Sequence, residues 1–426
     1  VARLSRYLIV GASLAGLSAA ETLRKEGYEG RVTVIGDEAL RPYDRPPLSK
    51  QIIRGEWEPA RVFLRDDAHH AKLDLEWKLG RRAVALDLDA RCVVLDGGES
   101  VTFDGLVVAT GACARRFPGS AALEGIHVLR TLDDALAIRA RLEGSPRVCV
   151  VGAGFIGTEV AAACRARGLD VTVLADVAAP LANVLPPELA SCCGALHVDH
   201  GVDLRCAVSV TGFEGRDRVE GVRLDGGQTV PADLVVVGIG ATPATGWLAS
   251  SGLALDNGVV CDATLATAAP GVVAAGDIAR WPNVLFDETM RIEHWTNAFE
   301  QGAAAARRLL HGAEEARPFA TVPYVWTDQY ETRIQMLGRI KPGDNVRVVH
   351  GSYEERQFVA LTGRAGRVVG AVAFNEPRQL RAWREPIATR AVWEEVMGQV
   401  RPSETQRTGT HLGRPDPDVA GDQRRF

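Results

Sequence analysis

Two glycine clusters carry the strongest chemical signal in this chain. Gly11-Ala-Ser13-Leu14-Ala15-Gly16 follows the apolar run Tyr7–Val10, and Gly152-Ala-Gly154-Phe155-Ile156-Gly157 follows Val148–Val151. The first glycine of each makes a tight turn. The middle position lets the backbone approach a pyrophosphate at a helix N-terminus, where free N–H groups favour anions. The last glycine allows helix and strand to pack closely. An acid stands about 20 residues beyond each cluster, Asp37 and Asp176, where a carboxylate can accept from ribose hydroxyls. One such cluster is common among ordinary turns. Two, each with its acid, point to two dinucleotide sites. In the first copy the middle position is Ser13, which crowds the pyrophosphate slightly.

These residues require particular elements. Each cluster opens a helical stretch that ends at Gly27 or Gly168, followed by a β-branched run, Arg31–Ile35 or Asp170–Leu174. Strand, turn, helix and strand, occurring twice, predict an α/β protein with two Rossmann-like units. Two further apolar runs end in small residues, Phe103–Gly111 and Pro270–Asp277, the second closing on an acid. Past Ala320, runs at 346–349, 358–361 and 368–374 predict a small sheet, and a helical stretch after Pro377 carries Trp383 and Trp393. From Pro402 the composition reads as a mobile tail.

Composition narrows the function classes. The chain has 426 residues, 46% apolar and 24% charged, enough for two or three domains. Lys plus Arg is 49 against 54 for Asp plus Glu, a net −5, which argues against a general nucleic-acid or anionic-membrane binder. Eight cysteines show no C-x-x-C and no metal-ligand spacing, so they read as buried small hydrophobes in a reducing compartment. Cys192 and Cys193 are adjacent on a predicted helix, a poor geometry for a bridge. His69 and His70 lack further ligands and read as surface histidines. The opening residues imitate an export signal, yet they also form the first strand and helix. The uncharged stretch 234–255 is broken by glycines and Pro243, which makes it poor as a spanning helix. The expected location is the cytoplasm.

With Arg41-Pro-Tyr-Asp-Arg45-Pro-Pro-Leu-Ser-Lys50, Val237–Pro243, Glu293-His-Trp295 and Tyr324-Val-Trp326-Thr-Asp-Gln329, the chain resembles the flavoprotein reductases with two dinucleotide domains. Within them it is similar to the NADH-dependent ferredoxin reductases serving bacterial dioxygenases and haem mono-oxygenases. The resemblance implies an FAD domain (1–113 and 246–319) split around an NAD domain (114–245), then a small α+β C-terminal domain (320–401) and a tail (402–426). It implies FAD and NADH as cofactors and a [2Fe–2S] ferredoxin as a transient, electrostatically steered partner. Rubredoxin is an alternative acceptor. A binding or signalling flavoprotein like the apoptosis-inducing factors, and a flavin-dependent oxygenase, are further alternatives.

The resemblance also assigns residues. Lys50 sits beside flavin N5, paired with Glu159, and Trp326 lies near the isoalloxazine. Read from residue type alone, Lys50 and Glu159 would be solvated and Trp326 a core residue. Asp277 meets the ribitol, against a plain helix N-cap. Arg45, Ala83, Thr110, Gly111, Arg130 and Trp295 line the FAD site, and Gly240 the NAD site; Arg130 would otherwise be a surface arginine. Where the family carries a glutamate closing the second NAD strand, this chain has Ala175, with Asp176 next. No Lys or Arg lies between Gly168 and Leu204, so NADH is expected over NADPH. Arg307, Arg308, Arg339 and Lys341 are candidates for docking an acidic ferredoxin.

Overall fold

The computed structural model describes residues 6–120 and 123–400. The predicted tail at 402–426 lies outside them. The strand Arg6–Val10 is the centre of a five-stranded parallel sheet, with Arg31–Gly36 and Glu76–Leu79 on one side and Gly105–Val108 and Val272–Ala274 on the other. Val148–Val151 is the centre of a second such sheet, with Val171–Leu174 and Asp203–Arg205 on one side and Leu234–Val237 and Ile126–Val128 on the other. Such central strands read as continuous apolar runs because both faces are covered. The repeat extends to single hydrogen bonds: the Gly11 N–H donates to Ile35 at 2.8 Å and the Gly152 N–H to Leu174 at 2.7 Å.

Val272–Ala274 rejoins the first sheet only after the whole second sheet has been laid down, so the first unit is split around the second. The chain leaves through Ala112–Ala114 and returns through Ala241–Pro243, two short strands paired antiparallel. The helix Trp295–His311 then packs on Leu14–Lys25. Their approach needs Gly302, where a Cβ would lie 2.3 Å from the Ala15 carbonyl oxygen.

The C-terminal unit is a five-stranded antiparallel sheet, ordered Tyr324–Gln329, Thr332–Gly338, Arg367–Phe374, Gln357–Arg364, Asn345–Ser352. The first two strands are absent from the sequence reading of this unit. Gly351 and Gly363, which fall between the predicted runs, lie inside strands. Gly351 has φ +69° and a register shift beside it, whereas Gly363 lies under Trp393, whose ring a Cβ would meet at 2.4 Å. The single helical stretch is three short helices, Pro377–Arg381, Arg384–Ala388 and Trp393–Gln399, with Trp383 between the first two. Positive φ at Arg390 turns the chain before the third. One apolar cluster joins Leu185, Leu189 and Cys193 of the second unit to Met336, Phe358 and Phe374 of this sheet. The two units therefore share a core.

Candidate flavin and dinucleotide site

Both glycine turns open onto one cleft of about 1810 Å³. Ser13 and Gly154 cap their helices without a side-chain hydrogen bond, leaving the first N–H groups of each helix available to an anion. Gly11, Ser13, Leu14 and Ala15 form one wall, and Gly152, Gly154, Phe155 and Ile156 another. Gly16 and Gly157 lie beneath. A Cβ at either would stand 2.0 Å from the carbonyl oxygen of Gly11 or Gly152 respectively, so their role is close packing. Gly11 (φ +122°) and Gly152 (φ +106°) make the turns themselves. Around Gly154 no atom beyond its own immediate chain neighbours comes within 4 Å of a Cβ, so the open space there belongs to the cleft.

The acids are exposed on the cleft wall. Asp37 lies 3.9 Å from Arg82 and Asp176 follows buried Ala175. Gly36 must be small because a Cβ would meet that of Ala12 at 2.6 Å. Arg205, the nearest cation in sequence after Asp176, is occupied by Asp203 at 2.8 Å. Ala83, Thr110, Gly111 and Gly240 also line the cleft. The Thr110 hydroxyl donates to the Ala244 carbonyl at 3.1 Å, tying the outgoing strand to the returning one.

Lys50 and Glu159 are not solvated. Pro46 and Pro47 lead into the helical turn Leu48–Ile52, which aims Lys50 inward, and both residues are 4% exposed. Lys50 Nζ donates to Glu159 Oε1 at 2.8 Å and lies 3.8 Å from Asp328 Oδ2. Glu159 also accepts from the Ser49 hydroxyl and, at 2.8 Å, from the Thr327 hydroxyl. A buried ion pair is tolerable only when its remaining lone pairs are filled, as they are here. The first unit, the second unit and the C-terminal sheet each contribute to this one carboxylate. Trp326 is half-buried on an edge strand, stacked on Tyr324 with centroids 5.9 Å apart, and faces the cleft rather than a core.

Opposite, Asp277 sits within the single turn Gly276–Ile278, not at the N-cap of a longer helix, and accepts from Arg130 at 2.9 Å. Arg130 is thus no ordinary surface arginine. Arg45 donates to the Arg130 carbonyl at 2.6 Å and to Glu38 at 2.8 Å, and Glu38 also accepts from Tyr43 at 2.5 Å. The Trp295 indole donates to Asp44 at 2.6 Å, and burial pushes that carboxyl up. Burial also pushes the His294 imidazole down to about 4, and its Nδ1 has no partner among the described residues. Ser49, Thr327, Glu38, Tyr43, Asp44 and His294 were not singled out from sequence. All but Glu38, which follows Asp37, lie within the motifs that carried the resemblance.

Several sequence readings change. His70 is buried, edge-on to Trp77 at 5.3 Å, whereas His69 is half-buried beside Glu21. All eight cysteines are free, and Cys113 is exposed because its short linker strand turns it outward. Burial pushes the thiols of Cys149 and Cys164 up to about 12, so they are inert at neutral pH. The docking candidates do not form one patch. Arg307 pairs with Glu26 at 3.0 Å, whereas Arg339 and Lys341 share Glu288 at 2.7 and 3.0 Å. Arg307 and Arg308 stand near the far end of the helix Trp295–His311, about 18 Å along its axis from Trp295. Arg339 lines the cleft. No helix among the described residues is long and apolar enough to cross a membrane.

The uncapped helix ends, the flanking acids and the size of the cleft fit two dinucleotides, FAD and NADH. The pyridine nucleotide-disulphide oxidoreductase family model matches residues 5–302, and the reductase C-terminal model matches 324–397. Rhodocoxin reductase of Rhodococcus erythropolis is 35% identical over 90% of this chain and 89% of its own length. The ferredoxin–NAD(+) reductase component of the anthranilate 1,2-dioxygenase system of Burkholderia cepacia is 38% identical over 91% of this chain and 95% of its length. A solved covalent complex of putidaredoxin reductase with putidaredoxin superposes with a TM-score of 0.87 at 31% identity, covering 93% of this chain and 99% of that one. The chain is an oxidoreductase of the pyridine nucleotide-disulphide oxidoreductase family, with that family's paired dinucleotide units followed by a reductase C-terminal domain.

Proposed function

We propose that this protein is an FAD-containing, NADH-dependent reductase that delivers single electrons to a [2Fe–2S] ferredoxin feeding an oxygenase. The observation that carries the reading is the buried Lys50–Glu159 pair in a cleft shared by both glycine turns. Bound FAD supplies the hard chemistry, accepting a hydride and releasing electrons one at a time. The chain's own residues bind and orient. The N–H groups at Ser13–Ala15 hold the FAD pyrophosphate, Asp37 the adenosine ribose, and Asp277 the ribitol. Lys50 is assigned beside N5, where its ammonium offsets negative charge, and Glu159 fixes its position. Trp326 and Trp295 flank the ring system and exclude water. The second turn, Gly152–Gly157, holds the NADH pyrophosphate, and Asp176 accepts from its ribose. That carboxylate, with no Lys or Arg between Gly168 and Leu204, disfavours a 2′-phosphate.

The same reading assigns 1–113 with 246–319 to FAD, 114–245 to NADH and 320–401 to the domain covering the flavin. Its relatives named as ferredoxin reductase components of dioxygenase systems motivate the acceptor. The free thiols support a reducing, cytoplasmic location. Anaerobic titration tests the assignment: one equivalent of NADH should bleach one equivalent of bound flavin, with far weaker bleaching by NADPH. A purified protein that takes up no flavin would overturn it.

A further inference from the structure

The hydrogen bonds around Glu159 do not stop at Thr327. Gln329, two residues along the same edge strand, donates through Nε2 to the Thr158 hydroxyl at 3.0 Å and the Thr327 hydroxyl at 3.3 Å. Its Oε1 meets His197 Nε2 at 3.0 Å, and His197 Nδ1 meets the Tyr330 hydroxyl at 3.0 Å. Thr158, Glu159, His197, Thr327 and Gln329 are all buried, and Thr327 and Gln329 wholly so. Thr158 and Glu159 lie on the helix Phe155–Ala166, and His197 on Pro187–Asp199, both in the second unit. Thr327 and Gln329 belong to the first strand of the C-terminal sheet, and Tyr330 to the turn that follows it.

The chain of bonds has a fixed direction. The Thr158 hydroxyl proton is committed to the backbone carbonyls of Gly154 and Phe155, and that of Thr327 to Glu159. Both oxygens therefore offer only lone pairs to Gln329, so its NH₂ faces them and its carbonyl faces His197. His197 Nε2 must then carry a proton and Nδ1 must accept from Tyr330. Burial pushes this imidazole down to about 4, in keeping with a neutral ring. A carboxamide does not pass protons along such a chain. The arrangement orients rather than conducts.

We propose that Gln329 and His197 are positioning residues for hydride transfer: they hold the Thr327 hydroxyl on Glu159 and so fix Lys50 Nζ, locking the nucleotide-binding helix to the C-terminal sheet. This rests on the assignment of Lys50 and Glu159 to the flavin site. Gln329→Leu removes every bond at the centre of the chain, and His197→Phe keeps the ring packing while removing both nitrogens. In the holoenzyme each should retain FAD, bleach about tenfold more slowly at saturating NADH, leave KM for NADH within about twofold, and shift the midpoint potential of the bound flavin. The double variant should be no slower than the slower single, because both break one chain.

Glu159→Gln is the reference. If it changes neither rate nor potential, the flavin-site assignment itself falls. If it slows transfer while Gln329→Leu and His197→Phe do not, or if their losses multiply, the positioning role is overturned. Independently of any variant, ¹⁵N spectra of the oxidised holoenzyme should show His197 protonated at Nε2 and bare at Nδ1 across neutral pH. The opposite tautomer would overturn the proposed direction of the chain.

Discussion

A single methyl group, added at two positions three residues apart, separates binding from folding in the NADH turn. At Gly157 a Cβ would stand 2.0 Å from the Gly152 carbonyl oxygen and 3.0 Å from its carbon, both backbone atoms. Relief requires the helix Phe155–Ala166 to back away from the strand Val148–Val151 by more than about 1 Å, and overpacking of this kind costs about 3 kcal/mol. Gly154→Ala adds the same methyl where φ is −79° and ψ −172°, an ordinary alanine conformation, with no atom beyond its immediate chain neighbours within 4 Å. Its effect on the fold should be near neutral, the gain of about 0.4–1 kcal/mol through the unfolded chain being offset by alanine's poorer fit at an N-cap. The methyl instead intrudes on the pyrophosphate. Ser13 occupies the corresponding place in the FAD turn, so a Cβ there is tolerable, and the penalty on NADH should be near tenfold in Kd, about 1.4 kcal/mol. Calorimetric NADH binding to the pre-reduced holoenzymes, and their thermal midpoints, read the two effects separately. Gly157→Ala should lose several degrees, and Gly154→Ala none. A destabilised Gly154→Ala, or one that binds NADH unchanged, would refute the division of labour among these glycines.

Asp176→Ala should lower kcat/KM for NADH about tenfold and leave that for NADPH unchanged or raised, since a hydrogen bond to a charged group is worth about 1.5–3 kcal/mol; equal values for the two nucleotides in the unmodified protein would show that Asp176 does not reach the ribose. Glu159→Leu should destabilise the apoprotein by about 3–5 kcal/mol, because Lys50 is left buried with only Asp328 at 3.8 Å, while Lys50→Met should cost less, since Ser49 and Thr327 still satisfy Glu159; urea midpoints of the two variants compare them. His197 has its pKa lowered from 6.5 to about 4, so between those values the unfolded chain binds a proton the native state does not. Stability therefore falls as pH drops through this window, by about 3 kcal/mol at pH 4 from this one group, and His197→Phe should flatten the fall in urea midpoint between pH 6.5 and 4.5.

Legibility in the sequence followed the physics of each element. The paired parallel sheets were readable because a strand buried on both faces must be an apolar run, and because the glycines at 11, 16, 152 and 157 answer to backbone contacts that no other residue allows. The strands Tyr324–Gln329 and Thr332–Gly338 were hidden for the opposite reason. Thr327, Gln329, Thr332 and Gln335 are all buried, so the alternation that marks a half-buried strand is scrambled by polar residues pointing inward. Thr327 and Gln329 serve Glu159 and its support. The pairing of Lys50 with Glu159 came from resemblance alone, because 109 residues separate the two and neither carries a local signal of burial. Burial of His70 escaped notice likewise, since its cover comes from Trp77 on the neighbouring edge strand.

The central claim is that hydride entering from NADH leaves as single electrons to an iron–sulfur protein. Cytochrome c reduction by the holoenzyme with NADH, with and without a [2Fe–2S] ferredoxin of a dioxygenase system, tests it most directly, with ferricyanide as the control acceptor. Ferricyanide should be reduced in both cases, and cytochrome c only when the ferredoxin is present. Cytochrome c reduction that is indifferent to the ferredoxin, while NADH still drives ferricyanide, would contradict the account.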